Sequence, residues 1–215
     1  MTEEAPCHRV KCEVVAALSR LTTVRRIASF GSLAEGRSDR WSDVDLFVTC
    51  DDIASSPWIA AAAIRAAKPV CFYRMFRGVA QPSGRYWFAD ESPFHRIDIS
   101  FYSVADYIIV CRDGLKNGHP VTMREEYSAT AAPDLMRDQS LCGPATAAAI
   151  QPHETDAGRC LYFHLEAVKQ RMRGGPGKHD ARETRAALAR AIEQSEAASF
   201  AGCDFVGLAR RCMDL

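Results

Sequence analysis

The sequence predicts an α/β or α+β fold, with one mixed β-sheet in the first half of the chain and a small helical bundle in the second. The sheet is indicated by short apolar or alternating runs, which resemble strands, mixed with runs of helical periodicity. The bundle is indicated by three helix-like runs that follow residue 153.

The first half begins with a helix and two strands. Residues 9–26 carry apolar side chains at helical spacing and predict an amphipathic helix. The sequence IASF (27–30) predicts a short buried strand, and DVDLFVTC (43–50) predicts a central strand whose first residues lie at an open edge. An alanine-rich run then predicts a helix that begins near Pro57 and ends before Pro69.

Three further strand-like runs complete the predicted sheet. They are VCFYRMF (70–76), RYWFAD (85–90) and HRIDISFY (95–102), and turn-forming Pro, Ser and Gly residues separate them. Ser103 is a suitable N-cap for a following helix, for which Gly114 is a suitable end.

Prolines and glycines interrupt residues 116–155, which predicts a connector with short helices such as an alanine-rich one at 145–149. Helical patterns return at 154–173 and 181–200, and a last short helix closes the chain. We therefore predict two domains, one spanning 1–115 and the other spanning 116–215.

Composition limits the classes of function. The chain has 215 residues with 27 basic and 27 acidic side chains, so no net charge attracts nucleic acid or an anionic membrane. No apolar run reaches the roughly 20 residues that span a bilayer, and the first residues lack the pattern of a signal peptide. Nine cysteines without zinc-site spacing predict free, mostly buried thiols in a reducing cytoplasm.

A glycine-rich turn follows the first predicted strand. Gly31 allows a tight turn and a close approach of backbone to a ligand, and Gly36 allows the same a few residues later. Backbone amides after Gly31, the Ser32 hydroxyl and the start of a following helix are groups that together hold a phosphate.

Paired carboxylates begin the next predicted strand. Asp43 and Asp45 are two residues apart, so both side chains project from one face of the strand. Two neighbouring carboxylates repel each other unless a cation lies between them, and such oxygen ligands suit Mg²⁺. Asp98 lies within an otherwise apolar strand, so it needs a partner, which we expect to be a metal shared with the Asp pair.

The stretch GSLAEGRSDRWSDVDL resembles the signature of the nucleotidyltransferase superfamily related to DNA polymerase beta. The positions that match are Gly31, Ser32, Gly36, Ser42, Asp43, Asp45 and Leu46, and Asp98 resembles the third carboxylate of that superfamily. The match covers 27–50 closely and 95–102 more loosely. The small size and helical C-terminal half are most similar to aminoglycoside, lincosamide and minimal nucleotidyltransferases. The resemblance implies an α+β fold of the nucleotidyltransferase type.

The same resemblance implies an activity and a set of site residues. The enzyme would depend on Mg²⁺ and move a nucleoside monophosphate onto a hydroxyl of a small molecule such as an aminoglycoside-type antibiotic. The first expectation is AMP from ATP, and the alternative is the monophosphate of another NTP. Asp43, Asp45 and Asp98 would be the catalytic and metal-binding residues, and Gly31, Ser32 and Ser42 would bind the nucleotide.

Several alternatives stay open at the level of sequence. The general base is Asp98 or another carboxylate such as Glu91, and the acidic residues available to an aminoglycoside are Glu125, Glu126 and Glu166. The acceptor of a toxin–antitoxin type of enzyme would be a protein or a tRNA, and a member that had lost catalysis would only bind nucleotide. We expect no membrane partner, and a monomer or a homodimer.

Overall fold

The computed structural model describes residues 6–77, 81–107, 115–116, 119–129, 156–175, 177–196 and 204–215. Its strands are β1 (Val24–Phe30), β2 (Val44–Cys50), β3 (Val70–Arg77), β4 (Pro82–Phe88), β5 (Ile97–Tyr102), β6 (Leu115–Lys116), β7 (His119–Pro120) and β8 (Met123–Ser128). Its helices, numbered in chain order, are α1 (Cys7–Leu18), α2 (Ser56–Ala67), α3 (Asp156–Met172), α4 (Ala181–Glu196) and α5 (Phe205–Met213).

Six of the strands form one mixed sheet in the order β3-β4-β5-β2-β1-β8. The β2 and β5 strands run parallel to each other, and the other neighbouring strands run antiparallel. The short β6 and β7 strands pair separately. This arrangement confirms the predicted α+β class, and it makes the two aspartate-bearing strands direct neighbours at the centre of the sheet.

The two faces of the sheet bury different layers. On one face α1 and α2 cover an aliphatic core that includes Leu46 and Ile99. On the other face α3, α4 and α5 pack on Phe72 and Trp87. Because successive strand residues point to opposite faces, β3 and β4 contribute side chains to both layers. The strand aromatics are therefore core residues.

Two predicted element boundaries are wrong. The first helix ends at Leu18 and not at residue 26, and β1 already begins at Val24. The segment between them contains two consecutive β-branched threonines, which lose side-chain freedom in a helix. The β4 strand begins at Pro82, where a turn was predicted. A proline is tolerated there because Pro82 is the first residue of the strand.

The predicted connector contains an unpredicted strand, because β8 pairs with β1 at an edge of the sheet. Its polar sequence, MREEYS, suits an edge that is exposed on one side. The predicted short helix at 145–149 and most of the helix after Ser103 lie outside the described residues. The division into 1–115 and 116–215 stays a prediction.

None of the helices in the described ranges has the length and apolar character needed to cross a membrane. Within the same ranges Cys50, Cys71 and Cys212 are buried free thiols. Burial is the main cause that raises the pKa of Cys212 to about 12. These cysteines act as small apolar core residues.

The buried cation Lys68 connects α1 and the end of α2 to the turn before β5. The Lys68 side chain is 3% exposed, and its ammonium lies 2.8 Å from both Glu13 and Asp90 and 2.9 Å from Glu91. Burial alone would lower the pKa of Lys68, but hydrogen bonds to the three carboxylates outweigh burial and raise that pKa. Lys68 therefore stays charged and holds α1, the end of α2 and this turn together.

We expect Lys68→Met to lower the free energy of unfolding by about 3 kcal/mol at pH 7, because it leaves the buried Glu91 without that charge partner. Urea denaturation measures the change, and Arg20→Gln on the exposed surface is the matched control with little change. A raised lysine pKa contributes stability that is complete below the unfolded pKa of about 10.4 and is lost as pH rises further. As pH rises from 7, the difference in free energy of unfolding between wild type and Lys68→Met should therefore narrow only above that pH.

Candidate functional site

A tight turn leaves the end of β1. Gly31 has a φ of 68°, in the left-handed region that favours glycine. The chain then folds back on itself, with the Glu35 amide donating to the Gly31 carbonyl at 3.1 Å and the Arg37 amide donating to the Ser32 carbonyl at 2.8 Å. Residues 31–36 are thus a series of turns. The expectation that a helix begins directly after Ser32 is wrong.

The turn contacts the paired carboxylates directly. A Cβ atom added at Gly31 would lie 3.1 Å from Oδ2 of Asp45, so only glycine leaves that carboxylate its space. Gly36 has a φ of 67° as well, but an added Cβ would meet nothing within 4 Å. The two glycines therefore share a backbone requirement, and only the first also shapes the site.

The strand register brings the three predicted aspartates to one edge of the sheet. Asp45 of β2 is the register partner of Asp98 on the parallel β5 strand. Asp43 directly precedes β2 and is two residues from Asp45, so it projects toward the same side. Ile97 and Ile99 are buried on the opposite face of β5, as the sequence pattern predicts.

Two cations from distant parts of the chain hold Asp43. Arg96, whose side chain is 2% exposed, lies 2.5 Å from Oδ2 of Asp43, and Lys169 on α3 lies 2.7 Å from Oδ1. Burial raises the pKa of Asp43, but the charges of Arg96 and Lys169 outweigh it and lower the pKa to about 2. Asp43 is therefore ionised throughout the neutral pH range.

Asp98 is held by Arg85 of β4. The Nε atom of Arg85 donates to both carboxylate oxygens, at 2.7 and 2.9 Å, and Nε of Arg96 lies 3.4 Å away. The Arg85 guanidinium also stacks on the Tyr162 ring of α3, at 3.8 Å from its centroid. Two arginines are thus charged partners of this strand aspartate, and the shared metal stays a prediction.

One face of α3 closes over the site. Tyr162, Glu166 and Lys169 follow the i, i+4, i+7 spacing and lie on one side of the helix, and Arg173 directly follows its last residue. Glu166 accepts from Arg96 at 2.8 Å, and Arg173 donates to both oxygens of Asp39 at 2.7 and 2.8 Å. Of this group only Glu166 was predicted from the sequence, as an acceptor-binding carboxylate, although polar residues at this spacing opposite an apolar face were visible.

Ser42 connects the turn region to α3. Its buried hydroxyl donates to Asp39 at 2.9 Å, lies 3.4 Å from the Ser32 hydroxyl, and lies 3.3 Å from Arg173. Hydrogen bonding from Arg173 is the main cause that lowers the pKa of Asp39 to about 2. Ser42 therefore orders the loop that precedes the paired aspartates.

The other acidic candidates lie in separate ion pairs. Glu91, the alternative base, is buried beside Lys68 and also pairs with Arg9 at 2.7 Å. Glu91 is buried because α1, the end of α2 and the turn before β5 meet over it. Glu126 pairs with Lys11 at 2.9 Å, and Glu125 pairs with Arg26 at 3.2 Å.

The donor set fits Mg²⁺ by its chemistry. Asp43, Asp45 and Asp98 supply hard oxygen ligands from two adjacent strand starts, and the space at Gly31 is kept open beside Asp45. Within the described ranges, no group of three or more His, Cys, Asp or Glu side chains is arranged so that it could hold a metal ion. Arg85, Arg96 and Lys169 take up oxygens of Asp43 and Asp98 instead.

Comparison with known proteins agrees with this geometry. The family model described as a nucleotidyltransferase domain matches residues 11–66, which contain most of α1, all of β1, the glycine turn, the Asp pair and most of α2. No curated protein matches the chain significantly. The matched residues contain the turn and two of the three aspartates described above, so this part of the chain is similar to the nucleotidyltransferase domain family.

Proposed function

We propose that this protein is a Mg²⁺-dependent nucleotidyltransferase that moves AMP from ATP, or NMP from another NTP, onto a hydroxyl of a small molecule. The observation that carries the proposal is the register pairing of Asp45 with Asp98 beside the open turn at Gly31. Carboxylates on adjacent strands, next to a backbone turn that a phosphate can approach, are the groups that this reaction requires.

Each group in the site then has a role. Asp43, Asp45 and Asp98 would hold Mg²⁺, which when bound neutralises charge on the phosphates and on the leaving pyrophosphate. The backbone at Gly31 and Ser32 would contact the triphosphate, and Ser42 keeps the adjoining loop in place. Lys169 and Arg173, which lie over the same loop, would contact phosphate oxygens.

The acceptor hydroxyl must lose a proton as the new bond to phosphorus forms. Asp98 is the proposed base or completes the metal site, and Arg85 and Tyr162 fix its position. We do not assign Glu91 a role in this reaction, because it lies in the separate ion cluster with Lys68 and Arg9 and away from the three aspartates.

The ion pairs of the candidate acceptor-binding carboxylates affect which class of acceptor we propose. An aminoglycoside carries several ammonium groups and needs carboxylates, but Glu125, Glu126 and Glu166 each pair with a cation of the chain itself. A polycationic acceptor would have to displace those cations, which costs the pairing that already exists. We therefore place uncharged hydroxyl compounds before aminoglycosides among the small-molecule acceptors.

The test follows the nucleotide that is transferred. ATP labelled at the α-phosphate is incubated with Mg²⁺, the protein and separate pools of polyols, lincosamides, aminoglycosides, tRNA and cell protein. The proposal expects label on a small molecule. Label on protein or tRNA would establish the macromolecular alternative, and nucleotide binding without transfer to any pool would leave only a binding module.

We expect Lys169→Met to raise KM for ATP by roughly tenfold or more, because a hydrogen bond to a charged group contributes about 1.5–3 kcal/mol. Steady-state kinetics measure the change. Lys178→Met is the matched control, because Lys178 is an exposed lysine just beyond the same helix and should leave KM unchanged. Equal KM values in both variants would remove Lys169 from the triphosphate site.

We expect Gly31→Ala to reduce turnover strongly and Gly36→Ala to leave turnover near that of wild type. Both changes force a left-handed conformation on alanine and cost about 1–2 kcal/mol of stability. Only the first presses a methyl group against Asp45. Urea denaturation and turnover of the two variants measure the effects, and equal turnover losses would contradict a role of the Gly31 space in the chemistry.

A further inference from the structure

A cavity lies within the helical layer that α3, α4 and α5 form. Its volume is about 510 Å³, and it lies between α3, α4 and α5. Small-molecule sites typically measure about 300–1,000 Å³, so the cavity has the size for a ligand of its own.

This cavity is distinct from the candidate active site. The α3 residues that line it are His164, Val168, Arg171 and Met172, whereas Lys169 contacts Asp43, and Arg173, directly after α3, contacts Asp39. Residues one and two positions apart lie on different sides of a helix, so the two sites occupy different faces of α3. No residue that lines the cavity contacts the aspartates in the described chain.

Exposed apolar side chains concentrate at this cavity. Three large apolar residues are strongly exposed in the described ranges, namely Val104, Met172 and Leu215. Two of them line the cavity, with exposures of 39% for Met172 and 48% for Leu215. An exposed apolar patch beside a concave surface indicates a site that an apolar ligand covers.

The charged side chains that line the cavity are all arginines, and the other polar side chain, His164, lies close to Thr184 and the Cys212 carbonyl. Arg171, Arg182 and Arg185 line it, all three are exposed, and none of the described lining residues has an acidic side chain. These guanidiniums form no ion pair with a carboxylate of the described chain. Asp180 lies near Arg182 but accepts from the Arg182 and Glu183 amides, where it caps α4.

We propose that this cavity binds a small amphipathic anion, meaning a soluble molecule with an apolar body and one carboxylate, phosphate or sulfate group. The apolar body would cover Val168, Met172 and Met213, and the anionic group would pair with the arginines. Arginine suits this role because its planar donors match carboxylate and phosphate oxygens.

Isothermal titration calorimetry of the full chain tests this site, with decanoate and decyl phosphate below their micelle concentrations and decanol as the uncharged probe. We expect saturable binding of one anion per chain and much weaker binding of decanol. The double variant Arg182→Gln/Arg185→Gln should weaken anion binding by roughly tenfold or more. Arg190→Gln, an exposed arginine of α4 that does not line the cavity, is the matched control.

A second variant tests the apolar part independently of charge. Ala181→Trp would fill the cavity while all three arginines remain, and it should abolish binding in protein whose circular dichroism is unchanged. The proposal is overturned if neither anion binds wild type saturably or if decanol binds as tightly as the anions. It is also overturned if the double variant binds the anions as tightly as wild type and Arg190→Gln do.

Discussion

Asp45→Asn should abolish nucleotidyl transfer, with turnover at least ~10²–10³-fold below that of wild type, while the protein stays folded. Asparagine has nearly the same size and removes one of the neighbouring carboxylates at the strand starts. The substitution removes a carboxylate ligand, so the capacity to hold Mg²⁺ falls. Turnover and urea denaturation, measured on the same preparation, separate a loss of catalysis from unfolding.

The matched control is Glu193→Gln, which neutralises an exposed carboxylate on α4 far from the strands in sequence. It should turn over like wild type. If Asp45→Asn retained wild-type turnover, Asp45 would not belong to the catalytic group. If it lost activity only through unfolding, the loss would carry no information about the chemistry.

Arg96→Met should produce the largest loss of stability among single changes at the site, about 3 kcal/mol in the free energy of unfolding. Arg96 is almost fully buried and lies beside three carboxylates, those of Asp43, Asp98 and Glu166. Its removal leaves these charges close together with fewer compensating cations. Urea denaturation at pH 7 measures the change.

Arg96→Lys tests whether charge alone explains the effect. Lysine keeps one positive charge but lacks the planar fork that reaches several carboxylates at once, so it should restore only part of the lost stability. A loss below about 1 kcal/mol in Arg96→Met would show that water or neighbouring cations replace Arg96 at no cost, contrary to this account.

The sequence predicts the part of the site that depends on local pattern. A glycine after a strand, two aspartates two residues apart and one aspartate between isoleucines all follow short-range rules, and the strand register brings Asp45 and Asp98 together. The cations do not follow such rules. Lys169 is 126 residues from Asp43 in sequence, and only the packing of α3 on the sheet brings the two together.

The same distinction explains the errors in the fold. The polar sequence of β8 resembles a connector because an edge strand with one open side needs little apolar surface. The helix that ends at Leu18 was predicted to be longer because Leu21 and Val24 continue its apolar spacing, although both are buried in the turn and strand that follow. Tertiary burial, and not local periodicity, decides such boundaries.

The central claim is tested most directly by pyrophosphate release from ATP and Mg²⁺ in the presence of the acceptor pools, with wild type and Asp45→Asn in parallel. The account predicts that wild type releases pyrophosphate when an acceptor is added, that removal of Mg²⁺ stops the release, and that Asp45→Asn releases none. Tight ATP binding by wild type without pyrophosphate release from any pool, or equal release by Asp45→Asn, would contradict it.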